Sequence, residues 1–210
     1  MNVIGQSQLL HSVEQYYNAR LREHGATARG VDWKSSESQV LRFEQLVKVC
    51  NLTGPFSIND YGCGYGALAD YLRANGYTFH YRGFDISPAM IASAGELHAG
   101  MPDCTFFGNE PELPPADYTV ASGIFNVKLQ TGDGEWHAYM LDTVQRIAGL
   151  SLKGFAFNVL TSYSDEEKQR PDLHYADPLF WFDYCKRNFS KYVALLHDYP
   201  LYEFTILVRM

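Results

Sequence analysis

Ile58-Asn59-Asp60-Tyr61-Gly62-Cys63-Gly64-Tyr65-Gly66 is the stretch on which the reading of this chain turns. Ser57–Tyr61 has the apolar, β-favouring character of a short strand, and Gly66–Asn75 follows as a helix closed by Gly76. In open α/β sheets, ligands bind beyond the carboxyl ends of the strands, where such a turn lies. Alternating glycines there let backbone approach a ligand closely, because no Cβ intrudes and positive φ is allowed. The N–H groups that open the next helix are unpaired and can donate to polar ligand atoms. The spacing is G-x-G-x-G, with Asp60 two positions before the first glycine. It is neither the dinucleotide fingerprint G-x-G-x-x-G nor a P-loop ending in Gly-Lys-Ser/Thr. A carboxylate in this turn repels a pyrophosphate and attracts an ammonium group, which favours a cationic, amino-acid-bearing nucleoside over NAD.

Outward from the turn, strands and helices alternate. Thr78–Asp85 is expected as the second strand, Cys104–Gly108 as the third, Tyr118–Ser122 as the fourth and Gly154–Leu160 as the fifth. Ser87 caps a helix whose first position is Pro88. Trp136, Tyr139, Met140, Thr143, Val144 and Ile147 form one helical stripe, and Asp177-Pro178 opens a further helix to about Asn188. Tyr192–Leu196 and Glu203–Val208 stand too close together for a helical crossover, so they are expected to pair antiparallel. The fold class is therefore α/β: a doubly wound, mostly parallel seven-stranded sheet with a C-terminal antiparallel hairpin. Before the sheet, Leu9, Leu10, Val13, Tyr16, Tyr17 and Leu21 recur at helical spacing, as do Val40, Phe43, Leu46, Val47 and Cys50. Glu23–Ser38 between them is expected as an irregular connection, long enough to suggest a functional loop. Residues 1–55 are taken as a helical cap or lid and 56–210 as the ligand-binding α/β domain.

The second strand ends Gly83-Phe84-Asp85-Ile86-Ser87. Asp85, 19 residues after Gly66, is placed to accept both hydroxyls of a ribose. Asp60-Tyr61-Gly62-Cys63-Gly64-Tyr65-Gly66 resembles the first motif of the class I S-adenosylmethionine-dependent methyltransferases, and Asp85 resembles the acid of their second strand. The resemblance extends over about residues 56–210, including the terminal hairpin, and implies a Rossmann-like methyltransferase fold. It implies S-adenosyl-L-methionine as cofactor, with Asp60, Gly62, Cys63, Gly64 and Gly66 holding the methionine moiety and Asp85 the ribose. Ile86 and Met90 would lie against the adenine. Asn109, where the family usually has an acid, would accept a hydrogen bond from the adenine amino group. Ser122, Gly123 and Ile124 match the segment that passes the sulfonium.

Methyl transfer is an in-line displacement governed chiefly by positioning, and a base is needed only when the acceptor arrives protonated. Phe125-Asn126-Val127-Lys128 leaves the fourth strand toward the expected methyl position, which makes Asn126 and Lys128 candidate acceptor contacts. His137 and His174 are the candidate bases; the competing reading of His137 is an exposed helix residue. Tyr163–Asp177 is a polar insertion that could cover the acceptor. Trp33, Tyr16 and Tyr17 offer rings for a cation–π contact to a sulfonium, although the two tyrosines fall on an apolar stripe that favours helix packing.

The 210 residues carry 17 Lys+Arg against 24 Asp+Glu, a net charge of −7. That balance, with no basic run, argues against a nucleic-acid partner. The 46% apolar content fits one compact domain. No apolar stretch approaches the roughly 20 residues that cross a bilayer. Met1–Gln15 lacks the charge pattern of a signal peptide. Four cysteines without a C-x-x-C pair point to a reducing cytoplasm, and no metal site is expected. The expected function is methyl transfer to a small-molecule acceptor. Two alternatives stay open: an aminopropyltransferase-like enzyme, which would need acids where Ser122-Gly123-Ile124-Phe125-Asn126 has none, and a cofactor-binding regulatory protein without turnover. Oligomeric state is not encoded legibly.

Overall fold

The computed structural model describes residues 3–210, so the leader reading of Met1–Gln15 begins at residues outside the described range. Six helices and seven strands are described: α1 (Val3–His24), α2 (Ser36–Leu46), β1 (Phe56–Tyr61), α3 (Ala67–Ala74), β2 (Phe79–Phe84), α4 (Pro88–Leu97), β3 (Cys104–Phe107), β4 (Ala116–Ala121), α5 (Asp133–Gly149), β5 (Ser151–Leu160), α6 (Pro178–Asn188), β6 (Tyr192–Leu196) and β7 (Glu203–Arg209). They build one seven-stranded sheet in the order β3-β2-β1-β4-β5-β7-β6. Strands β1 to β5 pair in parallel, whereas β7 runs antiparallel to both β5 and β6. The hairpin is thus folded inward: its second strand, not its first, pairs with β5, and the first forms the sheet edge. The run Phe204-Thr205-Ile206-Leu207-Val208 is fully apolar apart from one threonine and is buried on both faces, as an interior strand must be.

Successive residues of each central strand feed opposite cores, as a period of two demands. Phe155, Phe157 and Ile206 join Trp136 and Trp181 on one face. Ala156, Leu207, Ile58 and Val120 join Phe43, Leu46, Leu68 and Leu72 on the other. The α5 stripe read from the sequence is buried at each of its six positions.

Helix starts follow their caps. Ser87 accepts a hydrogen bond from Met90 N–H at 3.0 Å, and Asp177 accepts one from Leu179 N–H at 2.8 Å. The connection expected over Glu23–Ser38 is more ordered than its composition suggests. A 3₁₀ turn occupies Ala28–Val31, and α2 already begins at Ser36. The cause is a reciprocal cap in which Ser35 Oγ accepts from Ser38 N–H and Ser38 Oγ accepts from Ser35 N–H, both at 3.3 Å. The usual signal for this box is Glu or Gln at the fourth position, so a serine there is easily overlooked. Val40, assigned to the apolar stripe, is exposed, and Cys50 lies past the end of α2. Among the described residues, no helix is long and apolar enough to cross a membrane.

Candidate functional site

The strand order reverses between β1 and β4, which makes their carboxyl ends the switch point of the sheet. The glycine turn leaves β1 there, and Ser122-Gly123-Ile124 leaves β4 beside it. Gly62 has φ +83°, and a Cβ at this residue would lie 2.2 Å from Ile124 Cγ2. The two segments touch so closely that any side chain here would force Ile124 aside and strain the backbone. Gly64 and Gly66 also have positive φ, which carries the chain directly into α3.

A recess of about 840 Å³, its open mouth included, lies at this point. Its floor is Asp60, Gly62, Cys63 and Gly64, with Asp85, Ile86 and Met90 on one wall and Ser122, Gly123 and Ile124 on the other. Tyr61, Phe84 and Tyr139 extend the aromatic wall, while Tyr17 from α1, Val31 and Trp33, and Gln39 and Phe43 from α2 close it from the N-terminal side.

Charge and hydrogen-bonding capacity in this cavity fit a cationic nucleoside. Asp85 is fixed by the turn itself: Gly64 N–H donates to Oδ2 and Ser87 N–H to Oδ1, each at 2.9 Å. A carboxylate offers about four acceptor positions, so both oxygens can still accept hydroxyl groups. Burial raises its pKa, and the two N–H groups oppose that rise. Asp60 accepts from the Tyr81 hydroxyl at 2.8 Å. Burial pushes its pKa up to about 7, with the Asp85 charge adding and the Tyr81 hydrogen bond opposing. Ser122 Oγ is buried without a hydrogen-bond partner among the described residues, an orphan that a polar ligand would satisfy. Burial raises the Cys63 thiol well above its ordinary value, with Asp85 and Asp60 adding to it, so it remains a neutral wall group.

The state of Asp60 gives a pH-dependent expectation. The folded protein holds this proton to about pH 7, while the unfolded chain releases it near 3.8. The folded state therefore binds more protons between these values, and this group's contribution to stability falls as pH rises through that window. A bound ammonium group favours the carboxylate. Cofactor binding at pH 6 to 6.5 should then release close to one proton, and affinity should rise up to about pH 7.5. Calorimetry in buffers of different ionisation enthalpy checks this; equal proton release in wild type and Asp60→Asn would contradict it.

Trp33 is held over the site by a closed chain of contacts. Its ring would overlap a Cβ at Gly123, which stands at φ +74° and only 2.2 Å from Trp33 Cη2 when one is built. Gly123 N–H donates to Asn158 Oδ1 at 2.7 Å, and Asn158 Nδ2 donates to Glu203 Oε2 at 2.9 Å. Arg42 Nε donates to both Glu203 oxygens, at 3.0 and 2.9 Å, and its guanidinium lies 3.8 Å from the Trp33 ring centre. At the other side, Asp32 accepts from Tyr16 at 2.7 Å and from Arg20 Nε at 3.0 Å, which ties the segment to α1.

Of the residues singled out in the sequence, Asp60, Gly62, Cys63, Gly64, Asp85, Ile86, Met90, Ser122, Gly123 and Ile124 meet in this cavity. Gly66 lies one step behind the lining as the N-cap of α3. Asn109 stands apart: it is exposed, and its amide donates to Glu112 at 3.0 Å across a 3₁₀ turn. His137 packs on Phe180 and Trp181, with ring centres 4.8 and 5.7 Å away, and lines neither this cavity nor the one beside it. His174 is also outside both linings. Its backbone N–H donates to Asn126 O at 2.8 Å, and burial lowers the ring's pKa to about 4, so the ring is neutral at neutral pH. Asn126 spends its side-chain oxygen on Leu160 N–H at 3.1 Å and lines the neighbouring cavity. Lys128 pairs with Asp133 at 3.1 Å. Sequence reasoning did not find Gln39, Phe43 or Tyr139. Phe43 and Tyr139 sit on helical stripes indistinguishable from ordinary core, and Gln39 carries no motif.

Comparison with known proteins matches this geometry. A family model described as a methyltransferase domain matches residues 59–119. A curated Mycobacterium tuberculosis (strain H37Rv) protein with a provisional methyltransferase name, Rv1506c, is 53% identical over 163 residues, covering 78% of this chain and 98% of the relative. The solved DhpI complex with S-adenosylmethionine and HEP superposes with a TM-score of 0.64 at 17% identity, covering 96% of this chain and 98% of DhpI. Human N-acetylserotonin methyltransferase with S-adenosylmethionine gives 0.57 at 16% identity, over 97% of this chain and 67% of that one. At such identities the structures attest the fold. The fold is that of a Rossmann-like α/β protein with its ligand cavity at the switch point of the sheet. More narrowly, the chain belongs to the class I S-adenosylmethionine-dependent methyltransferases, and S-adenosylmethionine is its cofactor.

Proposed function

We propose that this methyltransferase acts in the cytoplasm on a small-molecule acceptor. The observation that carries the reading is a second recess, of about 1340 Å³ with its open mouth included, sharing Tyr17, Val31, Trp33 and Gly123 with the first. An acceptor seated there would meet the cofactor site inside a concave recess, past the Trp33 and Gly123 wall that both cavities share, which suits a small molecule better than a polymer.

The proposed division of labour follows the residues. Asp60, Gly62, Cys63, Gly64 and Gly66 hold the methionine portion, with the Asp60 carboxylate opposite its ammonium group. Asp85 accepts the ribose hydroxyls, and Ile86 and Met90 cover one face of the adenine. The backbone of Ser122, Gly123 and Ile124 borders the reacting end. Residues 1–55 serve as the cap of the 56–210 domain, with Trp33 excluding water between the two cavities. When bound, S-adenosylmethionine supplies an electrophilic methyl group. The chain's own contribution is alignment and desolvation, which can supply much of the barrier reduction for a displacement of this kind. Neither His137 nor His174 lines either of these two cavities, so neither is assigned direct proton transfer.

Incubation with methyl-labelled S-adenosylmethionine and a metabolite extract tests the proposal. Label is expected in a small-molecule fraction. Label recovered only in the protein or nucleic-acid pool would contradict it.

A further inference from the structure

The two cavities carry opposite charge. Asp60 and Asp85 line the first. Arg20, Arg29, Lys34, Arg42 and Arg170 line the second, against only Asp32 and Glu203. Arg20 is paired with Asp32, Arg42 with Glu203, and Arg170 with Asp172. Arg29 and Lys34 have no carboxylate partner among the described residues. Two uncompensated cations therefore face one recess of a chain whose net charge is −7. A concave basic surface in an acidic molecule concentrates anions locally, and a guanidinium matches the planar oxygens of a carboxylate or phosphate. Val31, Val127, Leu160 and Leu173 supply an apolar stretch of the lining, beside the polar His24 and Asn126.

Resting on the small-molecule reading above, we propose that the second cavity is the acceptor site and that the acceptor bears an oxyanion, a carboxylate or a phosphate monoester, on an apolar body. Arg29 and Lys34 bind the oxyanion. The apolar side chains take the body, and Trp33, which lines both cavities, stands where they meet. A cationic or polyamine acceptor would meet repulsion here.

The test uses the full chain saturated with S-adenosylhomocysteine and titrated calorimetrically with phenyl phosphate and benzoate, each against a neutral counterpart, phenol and benzamide. At least one oxyanion is expected to bind about tenfold or more tightly than its counterpart. That preference should shrink as salt is raised from about 0.05 to about 0.5 M. The arm that binds distinguishes phosphate from carboxylate. The double variant Arg29→Ala/Lys34→Ala alters two exposed, unpaired side chains. It should lose the preference while keeping its affinity for S-adenosylhomocysteine. Equal binding of charged and neutral probes, no binding of either oxyanion at millimolar concentration, or a preference that survives the double variant would overturn the proposal. Any of these leaves the small-molecule reading standing. That reading fails separately, if label from the cofactor appears only in macromolecules.

Discussion

Replacing Glu203 by Ala should lower the unfolding free energy by about 3–5 kcal/mol, the typical penalty for leaving one member of a buried ion pair without its partner. Glu203 and Arg42 are both buried, at 1% and 7% exposure, so water cannot take over the lost contacts. The carboxylate accepts from Arg42 through both oxygens and from Asn158 Nδ2 at 2.9 Å. Its removal strands a guanidinium and an amide together. The second consequence is functional. Arg42 stacks on Trp33, and Asn158 fixes Gly123 N–H, so both sides of the cofactor cavity loosen at once. Urea unfolding reads the first effect and cofactor titration the second. Glu203→Gln, which keeps the shape and one acceptor, should lose less stability. A Glu203→Ala loss below about 1 kcal/mol would show that the chain of contacts is not coupled as described.

Asp85→Ala should weaken binding of S-adenosylhomocysteine by about 100-fold, or about 3 kcal/mol, since two charge-assisted hydrogen bonds to ribose are removed. The same carboxylate orders the turn by accepting from Gly64 and Ser87 N–H, so its loss also leaves those donors unpaired. Asp85→Asn is not a mild substitute. One end of its amide would present an N–H₂ group to a backbone N–H, and donor would face donor. Both variants should therefore fall well below wild type by calorimetry. Affinity within about threefold of wild type for Asp85→Ala would exclude the ribose role.

Much of this was legible because local rules agreed with the global fold. Ser87-Pro88 and Asp177-Pro178 start helices at the residues their chemistry predicts, and the α5 stripe marks one core face. The glycine turn and Asp85 were readable because each residue in them answers a local backbone demand. What escaped detection depends on distant contacts. The 161-residue separation of Arg42 from Glu203 leaves no mark in either neighbourhood. Asn158 lies in a strand whose neighbours are apolar, where an amide looks like a defect until Gly123 and Glu203 are seen on either side. The basic recess is equally invisible: Arg29, Lys34 and Arg170 come from two segments, and the global charge of −7 points the other way. Asn109 and the two histidines show the converse. A residue type suited to a role says nothing of where its side chain goes.

The central claim is that the cofactor is enclosed between the glycine turn, Asp85 and the Trp33 segment. Amide hydrogen exchange with and without S-adenosylhomocysteine tests it most directly. Slower exchange is predicted at residues 62–66, 85–90 and 122–124, together with 28–33 from the N-terminal cap. Unchanged exchange in those four segments at saturating ligand, with any protection confined to other parts of the chain, would contradict the account.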